Sequence, residues 1–195
     1  MAIFSDGYDM ARAWFRKVIR PLHRPFLPIQ SRHQAIIHTK NDKQPTLLTY
    51  SHTTTMQQSY LHPTQESGRD FIMRQISGNV VMLNLLRFRE IADYSATPEL
   101  APEVAISGEK AYQLYIEHTK PHLLQSGGEI VFMGSGGNFL IGPPNERWDA
   151  VLLIRQKSVE SFMAFARNEQ YLSGIGHRTA ALEDSRLLPL MEENY

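Results

Sequence analysis

Val80-Val81-Met82-Leu83-Asn84-Leu85-Leu86 is an apolar run of strand length broken by one amide. A helix-period segment follows at Ala111-Tyr112-Gln113-Leu114-Tyr115, then a second strand-like segment at Glu129-Ile130-Val131-Phe132-Met133. The same order returns in Trp148-Asp149-Ala150-Val151-Leu152-Leu153-Ile154, Phe162-Met163-Ala164-Phe165-Ala166 and Arg186-Leu187-Leu188-Pro189-Leu190. Two strand–helix–strand units in tandem read as βαββαβ. That is the ferredoxin-like split βαβ plan of the α+β class, built on a four-stranded antiparallel sheet. The first strand alternates in neither direction, which suits a strand covered on both faces.

Working outward, Thr64 opens a short helix over Glu66–Ile76, stopped by Ser77-Gly78. Asp93–Ser107, with Pro98 and Pro102, is a long excursion. Ser107 is the N-cap of the first main helix, whose inward stripe reads Ala111, Leu114, Tyr115, His118 and His122. Pro121 should kink or shorten its last turn, and Gly127-Gly128 ends it. Gly134-Ser135-Gly136-Gly137-Asn138 and Gly142-Pro143-Pro144-Asn145 punctuate a hairpin around Phe139-Leu140-Ile141. Ser158 caps the second helix, expected to run to about Tyr171 with Phe162, Phe165 and Ala166 inward. Gly174–Arg178 then leads in a loop toward a last strand at Ser185–Met191.

Two helices on one face of such a sheet leave the other face bare. Alternation assigns Val80, Met82, Asn84, Leu86 and Phe88, with Trp148, Ala150, Leu152 and Ile154, to that bare face. It is too apolar to stand in water, and a second copy of the chain is its simplest cover.

The chain has 195 residues, enough for one well-buried core. Its 20 basic and 20 acidic side chains cancel, so the overall field recommends no nucleic-acid partner. The balance is uneven, however. Met1–Tyr50 holds eight Lys or Arg against three Asp or Glu. Residues 1–61 therefore read as a basic, low-order N-terminal extension, joined to a mildly acidic domain over 62–195. Within the extension Asp9–Ile19 has helical character, ended by Pro21, and Ala35-Ile36-Ile37 and Leu47-Leu48 are weak strand-like patches. The absence of cysteine removes disulfides and thiolate chemistry. No apolar run reaches the roughly 18 residues of a membrane span, and acidic and basic residues interrupt any secretory h-region. A cytoplasmic location is the expectation.

Several segments together carry a family resemblance: Val81–Phe88, Gly108 with Ala111-Tyr112, Gly127-Gly128, Glu146-Arg147-Trp148, Asn168–Tyr171 and His177–Arg186. Over about Thr64 to Met191 the chain resembles the domain of unknown function 1330 (DUF1330) family of the dimeric α/β-barrel superfamily. The resemblance implies a ferredoxin-like protomer whose open sheet face meets that of a second protomer, closing a barrel around a small cavity. Chemistry in that superfamily ranges over cofactor-free monooxygenases, lactone isomerases, dehydratases and haem-degrading enzymes, so the fold alone names no reaction.

Asn84 is an amide in an apolar strand, where lacking partners costs about 1–3 kcal/mol. It is either a hydrogen-bonder to a ligand carbonyl or enolate, or a structural amide. His177 is placed to exchange a proton near neutral pH, and Arg178 to hold a carboxylate bidentately; the competing role for Arg178 is a bridge to Glu183, Asp184 or Glu146. Tyr112, Tyr115 and Trp148 are candidate cavity walls, or simply core. His118 and His122 have the i,i+4 spacing of metal ligands, but Thr119 stands where a zinc-protease glutamate would and no third ligand can be named, so no metal is expected. The haem-degrading relatives use an Asn on strand one, a Trp on the second helix and a His beyond it. Asn84 and His177 match, Phe165 replaces the Trp, and no propionate-binding cluster is evident. The glycine run at Gly134 lacks the Gly-Lys-Ser/Thr of a phosphate loop, and Ser135 lacks a nucleophile elbow.

Two function classes stand. One is a cofactor-independent enzyme acting on a small carbonyl or phenolic compound, with Asn84 and His177 catalytic and Tyr115, His118, Trp148 and Arg178 binding substrate. The other is a non-catalytic dimeric ligand-binding or structural module. A haem-binding relative is the third possibility.

Overall fold

The computed structural model describes Ser59–Glu193. The expected helix at Asp9–Ile19 and the patches at Ala35–Ile37 and Leu47-Leu48 lie outside these residues. The elements are α1 (Gln65–Met73), β1 (Val80–Phe88), α2 (Gly108–Gln125), β2 (Glu129–Asn138), β3 (Arg147–Gln156), α3 (Val159–Ala166), α4 (Glu169–Leu172), α5 (Ile175–Ala181) and β4 (Leu182–Met191). A 3₁₀ turn at Pro98–Leu100 interrupts the β1–α2 connection. The strands form one antiparallel sheet in the order β2-β3-β1-β4. This is the α+β, split βαβ arrangement, with β1 and β3 central. No helix among the described residues is long and apolar enough to cross a membrane.

Local chemistry sets the helix starts. Thr64 caps α1 in a capping box with Ser67, Ser107 accepts from Lys110 N–H to start α2, and Ser158 accepts from Ser161 N–H to start α3. The ends differ from expectation in three places. α1 stops at Met73, three residues early, with Arg74 as its cap and Gln75 at φ +49° turning the chain out of the helix. Pro121 neither ends nor shortens α2, which runs through it to Gln125. The second helix is not continuous to Tyr171: it closes at Ala166, and Asn168 caps a separate short helix by accepting from Tyr171 N–H. Gly174–Arg178 is likewise no loop. It enters α5, and β4 begins at Leu182, directly at the helix end.

The glycine run is also corrected. Gly134–Asn138 is strand, paired with Arg147–Val151 of β3, so the hairpin loop lies beyond it and leaves Leu140 and Ile141 fully exposed. Gly136 lies so close to the carbonyl of Trp148 that a Cβ there would collide with it. Glycine is used here for close strand approach rather than for turning.

The sheet faces are exchanged relative to the sequence reading. Val80, Met82, Asn84 and Leu86 of β1, with Ala150 and Leu152 of β3, are the buried set. Leu86, Ala150 and Leu152 form one core with Ala111, Tyr112 and Tyr115 of α2, Tyr171 and Leu172 of α4, and Ala181 and Leu182. These residues face the helices. The bare face carries Leu83, Leu85, Val151 and Leu153, all half-buried, with Phe132 and Leu188 about half exposed. Both faces of β1 are apolar, so periodicity cannot tell which one the helices cover. The α2 stripe is rotated too: Gly108, Ala111, Tyr112, Tyr115, Thr119 and Leu123 are buried, whereas Leu114, His118 and His122 sit on its flank.

The phase of α2 is set at its first residue. Gly108 N–H donates to the Arg89 carbonyl at 3.0 Å, and Arg89 N–H donates to the Ala181 carbonyl at 2.9 Å. A Cβ on Gly108 would strike both carbonyls. Gly108→Ala should therefore lower unfolding free energy by about 1–3 kcal/mol through overpacking. Gly137→Ala, where a Cβ meets open space, should stay within about 0.5 kcal/mol of wild type. Urea unfolding of the two variants checks the contrast.

Candidate functional site

A cavity of about 50 Å³ lies between the helix-covered face of the sheet and the helices of the same protomer. Asn84 and Ile154 form its floor, Tyr112, Tyr115 and Thr119 of α2 one wall, and Phe165 and Arg178 the other side, with exposed Lys120 at the mouth. The wall follows from helix spacing: Tyr112, Tyr115 and Thr119 recur at three and four residues on the buried stripe.

The polar groups around the cavity are incompletely paired. Asn84 Nδ2 donates to the Met82 carbonyl at 3.1 Å, which turns its Oδ1 away as an acceptor with no protein donor among the described residues. Thr119 Oγ1 is fully buried without a hydrogen-bond partner. Tyr115 and Tyr171 pair hydroxyl to hydroxyl at 3.1 Å. Burial, reinforced by Tyr115, raises the Tyr112 and Tyr171 phenols well above their usual range, outweighing the nearby Arg178 charge. Both are protonated donors at neutral pH.

Among the described residues that line the cavity, Arg178 and Lys120 are the charged ones, and none is Asp, Glu or His. The Arg178 guanidinium donates from Nη1 to the Leu61 carbonyl at 2.8 Å and from Nη2 to Ser185 Oγ at 3.1 Å, and Ser185 Oγ donates to the Tyr60 carbonyl at 2.6 Å. Neither Glu183, Asp184 nor Glu146 bridges to it, and no carboxylate among the described residues forms an ion pair with it. Asp184 is engaged elsewhere. Burial alone would raise its pKa, but hydrogen bonds from Arg186, Tyr60 N–H and Ser185 N–H hold it below the ordinary carboxylate value. Ser59–Leu61, read from the sequence as extension, are thus bonded to β4 and α5.

The remaining sequence candidates are dispersed. His177 neighbours Arg178 on α5 but does not line the cavity; its Nδ1 meets the Tyr94 hydroxyl at 2.8 Å. His118 Nε2 donates to the Gln170 carbonyl at 2.8 Å, and its ring packs on Gly174. The His122 ring lies 5.3 Å from it, and no group of three or more potential metal-ligating side chains occurs among the described residues. Trp148 is buried away from the cavity. Its Nε1 donates to Glu146 at 3.0 Å, and its ring receives the guanidinium of Arg186 at 5.0 Å and of Arg87 at 6.0 Å. The structure therefore brings together Asn84, Tyr112, Tyr115 and Arg178, and adds Thr119. Thr119 escapes a sequence reading that phases α2 on Leu114 and His118. The close approach at Gly108, had it been recognisable, would have given the correct phase.

Burial first, and then the charge of His118, lowers the pKa of His177 from its ordinary 6.5; His62 is lowered likewise by burial and by Arg178. A depressed histidine pKa means the unfolded chain binds more protons between the folded value and 6.5. Stability should thus be full above about pH 6.5 and fall as the pH drops through the window below it. His177→Asn should flatten part of that slope in urea midpoints measured between pH 5 and pH 8.

No protein-family model matches the chain, and no curated protein does. Solved structures do. The methylated RPA0582 protein is 33% identical, with a TM-score of 0.62 over 70% of this chain and 96% of its own. RPA0582 from Rhodopseudomonas palustris, described as a protein of unknown function, is 33% identical with a TM-score of 0.61, over 71% of this chain and all of its own. A dimeric protein of unknown function with a ferredoxin-like fold from Bacteroides fragilis is 13% identical with a TM-score of 0.38, over 60% and 99%. At 33% identity over nearly the whole RPA0582 structure, the chain belongs to the RPA0582 family.

Proposed function

We propose that this chain is a small-molecule-binding protein of the dimeric α/β-barrel type, akin to the DUF1330 group, and that the cavity beside Asn84 is its binding site. The observation that carries this is Arg178, a guanidinium beside the cavity with no carboxylate partner among the described residues, close to Asn84, whose Oδ1 receives no hydrogen bond among them. Buried polar groups are ordinarily paired, so such an arrangement supports a ligand or ordered water as the missing partner. The compounds that fit are small carbonyl or phenolic ones. Tyr115 and Arg178 act in binding, and Asn84 accepts from or orients the ligand. A haem would need many times the room of a cavity of about 50 Å³.

Binding without catalysis is the form best supported, because among the described residues no carboxylate or imidazole lines the cavity to serve as base and His177 is held by Tyr94. One observation favours a cofactor-independent enzyme as a second reading. Arg178 and the protonated Tyr112 together would stabilise an enolate or phenolate oxygen formed inside the cavity.

The protomers pair through the bare sheet face, where Leu83, Leu85, Val151, Leu153, Phe132 and Leu188 stand partly exposed. The domain expected over 62–195 is taken to begin at Ser59, since Ser59 and Tyr60 bond to β4, with the residues before it as the extension. Crystals soaked with small acids and phenols should show ligand density against Asn84 and Arg178, and an empty cavity at saturating concentrations would refute the site. Sedimentation should give a dimer at micromolar concentration. Leu153→Glu should yield folded monomers, while a wild-type monomer would remove the pairing.

A further inference from the structure

From the donor and acceptor pattern around the cavity we infer that the ligand is a small hydroxycarboxylate, an inference that rests on the cavity being the binding site. Each chemical feature of the ligand answers a group on the wall. Arg178 is cationic and lacks a carboxylate partner among the described residues, while Lys120 adds positive charge at the mouth. The ligand therefore brings the anion. The Tyr112 hydroxyl, kept protonated by burial, donates to that anion.

Asn84 Nδ2 gives one of its two hydrogens to the Met82 carbonyl and keeps the other, while Oδ1 can only accept. It requires a ligand donor. A hydroxyl satisfies it at no electrostatic cost. An ammonium in its place would enter a cavity with two cations and no carboxylate, so an amino acid of equal size is rejected where the hydroxy acid is held.

Volume bounds the size. One ordered water needs about 10–15 Å³ on this scale, so about 50 Å³ admits several non-hydrogen atoms rather than a polycyclic compound. A compound the size of lactate matches the room, and longer acids would project past Lys120.

Four isosteric probes separate the features: lactate, propionate without the hydroxyl, lactamide without the charge, and L-alanine with ammonium for hydroxyl. Titration of the full 195-residue chain, followed by amide ¹H–¹⁵N shifts of Asn84, Thr119 and Arg178, should show lactate binding most tightly. Propionate, lactamide and alanine should each bind roughly ten- to a hundredfold more weakly, the range for hydrogen bonds involving a charged group. Arg178→Gln should abolish the preference for lactate over lactamide. Shifts at these residues with lactamide, propionate or alanine equal to or stronger than lactate would overturn the hydroxycarboxylate while leaving the binding site standing. No shift at these residues with any probe would overturn the site itself.

Discussion

Everything on the helix side of the sheet depends on one close approach of backbone to backbone. Where β1 ends, the Arg89 carbonyl receives Gly108 N–H while Arg89 N–H reaches the Ala181 carbonyl, so the start of α2, the end of β1 and the end of α5 are bound at one point. Only a residue without a side chain fits there. Once Gly108 is seated, the pitch of the helix carries Tyr112, Tyr115 and Thr119 over Asn84, and the end of α5 brings Arg178 to the same place. The cavity is the space these residues cannot fill.

The sheet has two apolar faces with different tasks. The helix-covered face is packed with Leu86, Leu152 and Leu182, all fully buried. The bare face keeps its aliphatic residues partly in solvent. Its margins hold ion pairs, Arg155 with Glu129 and Glu192 at 3.0 Å each, and Arg186 with Asp184 at 2.7 Å. At the Asp184 end, Tyr60, Arg186 and Trp148 stack in sequence, with the guanidinium 4.6 Å from the tyrosine and 5.0 Å from the indole. That stack accounts for a buried Trp148 that belongs to neither the core cluster nor the cavity.

How far these features can be read from the sequence depends on the range of the forces that set them. Strand and helix order is legible because it follows local apolar periodicity, and the caps at Ser107 and Ser158 are legible because a hydroxyl bonds three residues along its own chain. The covered face of β1 is not, since Val81, Leu83 and Leu85 are as apolar as Val80, Met82 and Leu86. The glycines from Gly134 look like a turn because glycine is common in turns, whereas Gly136 answers a neighbour on another strand. Asn84, Tyr115 and Arg178 can be picked out as chemically conspicuous residues. Their convergence, and the exclusion of His177 and Trp148 from it, depends on contacts between residues far apart in sequence, such as Leu61 with Arg178.

That last contact has a mechanical side. The Arg178 guanidinium is steadied by the carbonyls of Tyr60 and Leu61, one through Ser185 and one directly. A load applied to the chain at Ser59 is therefore delivered, within two peptide units, to the cation at the cavity wall. A tether, an affinity tag or a fused domain joined close to that residue would tug on this guanidinium without touching the cavity itself.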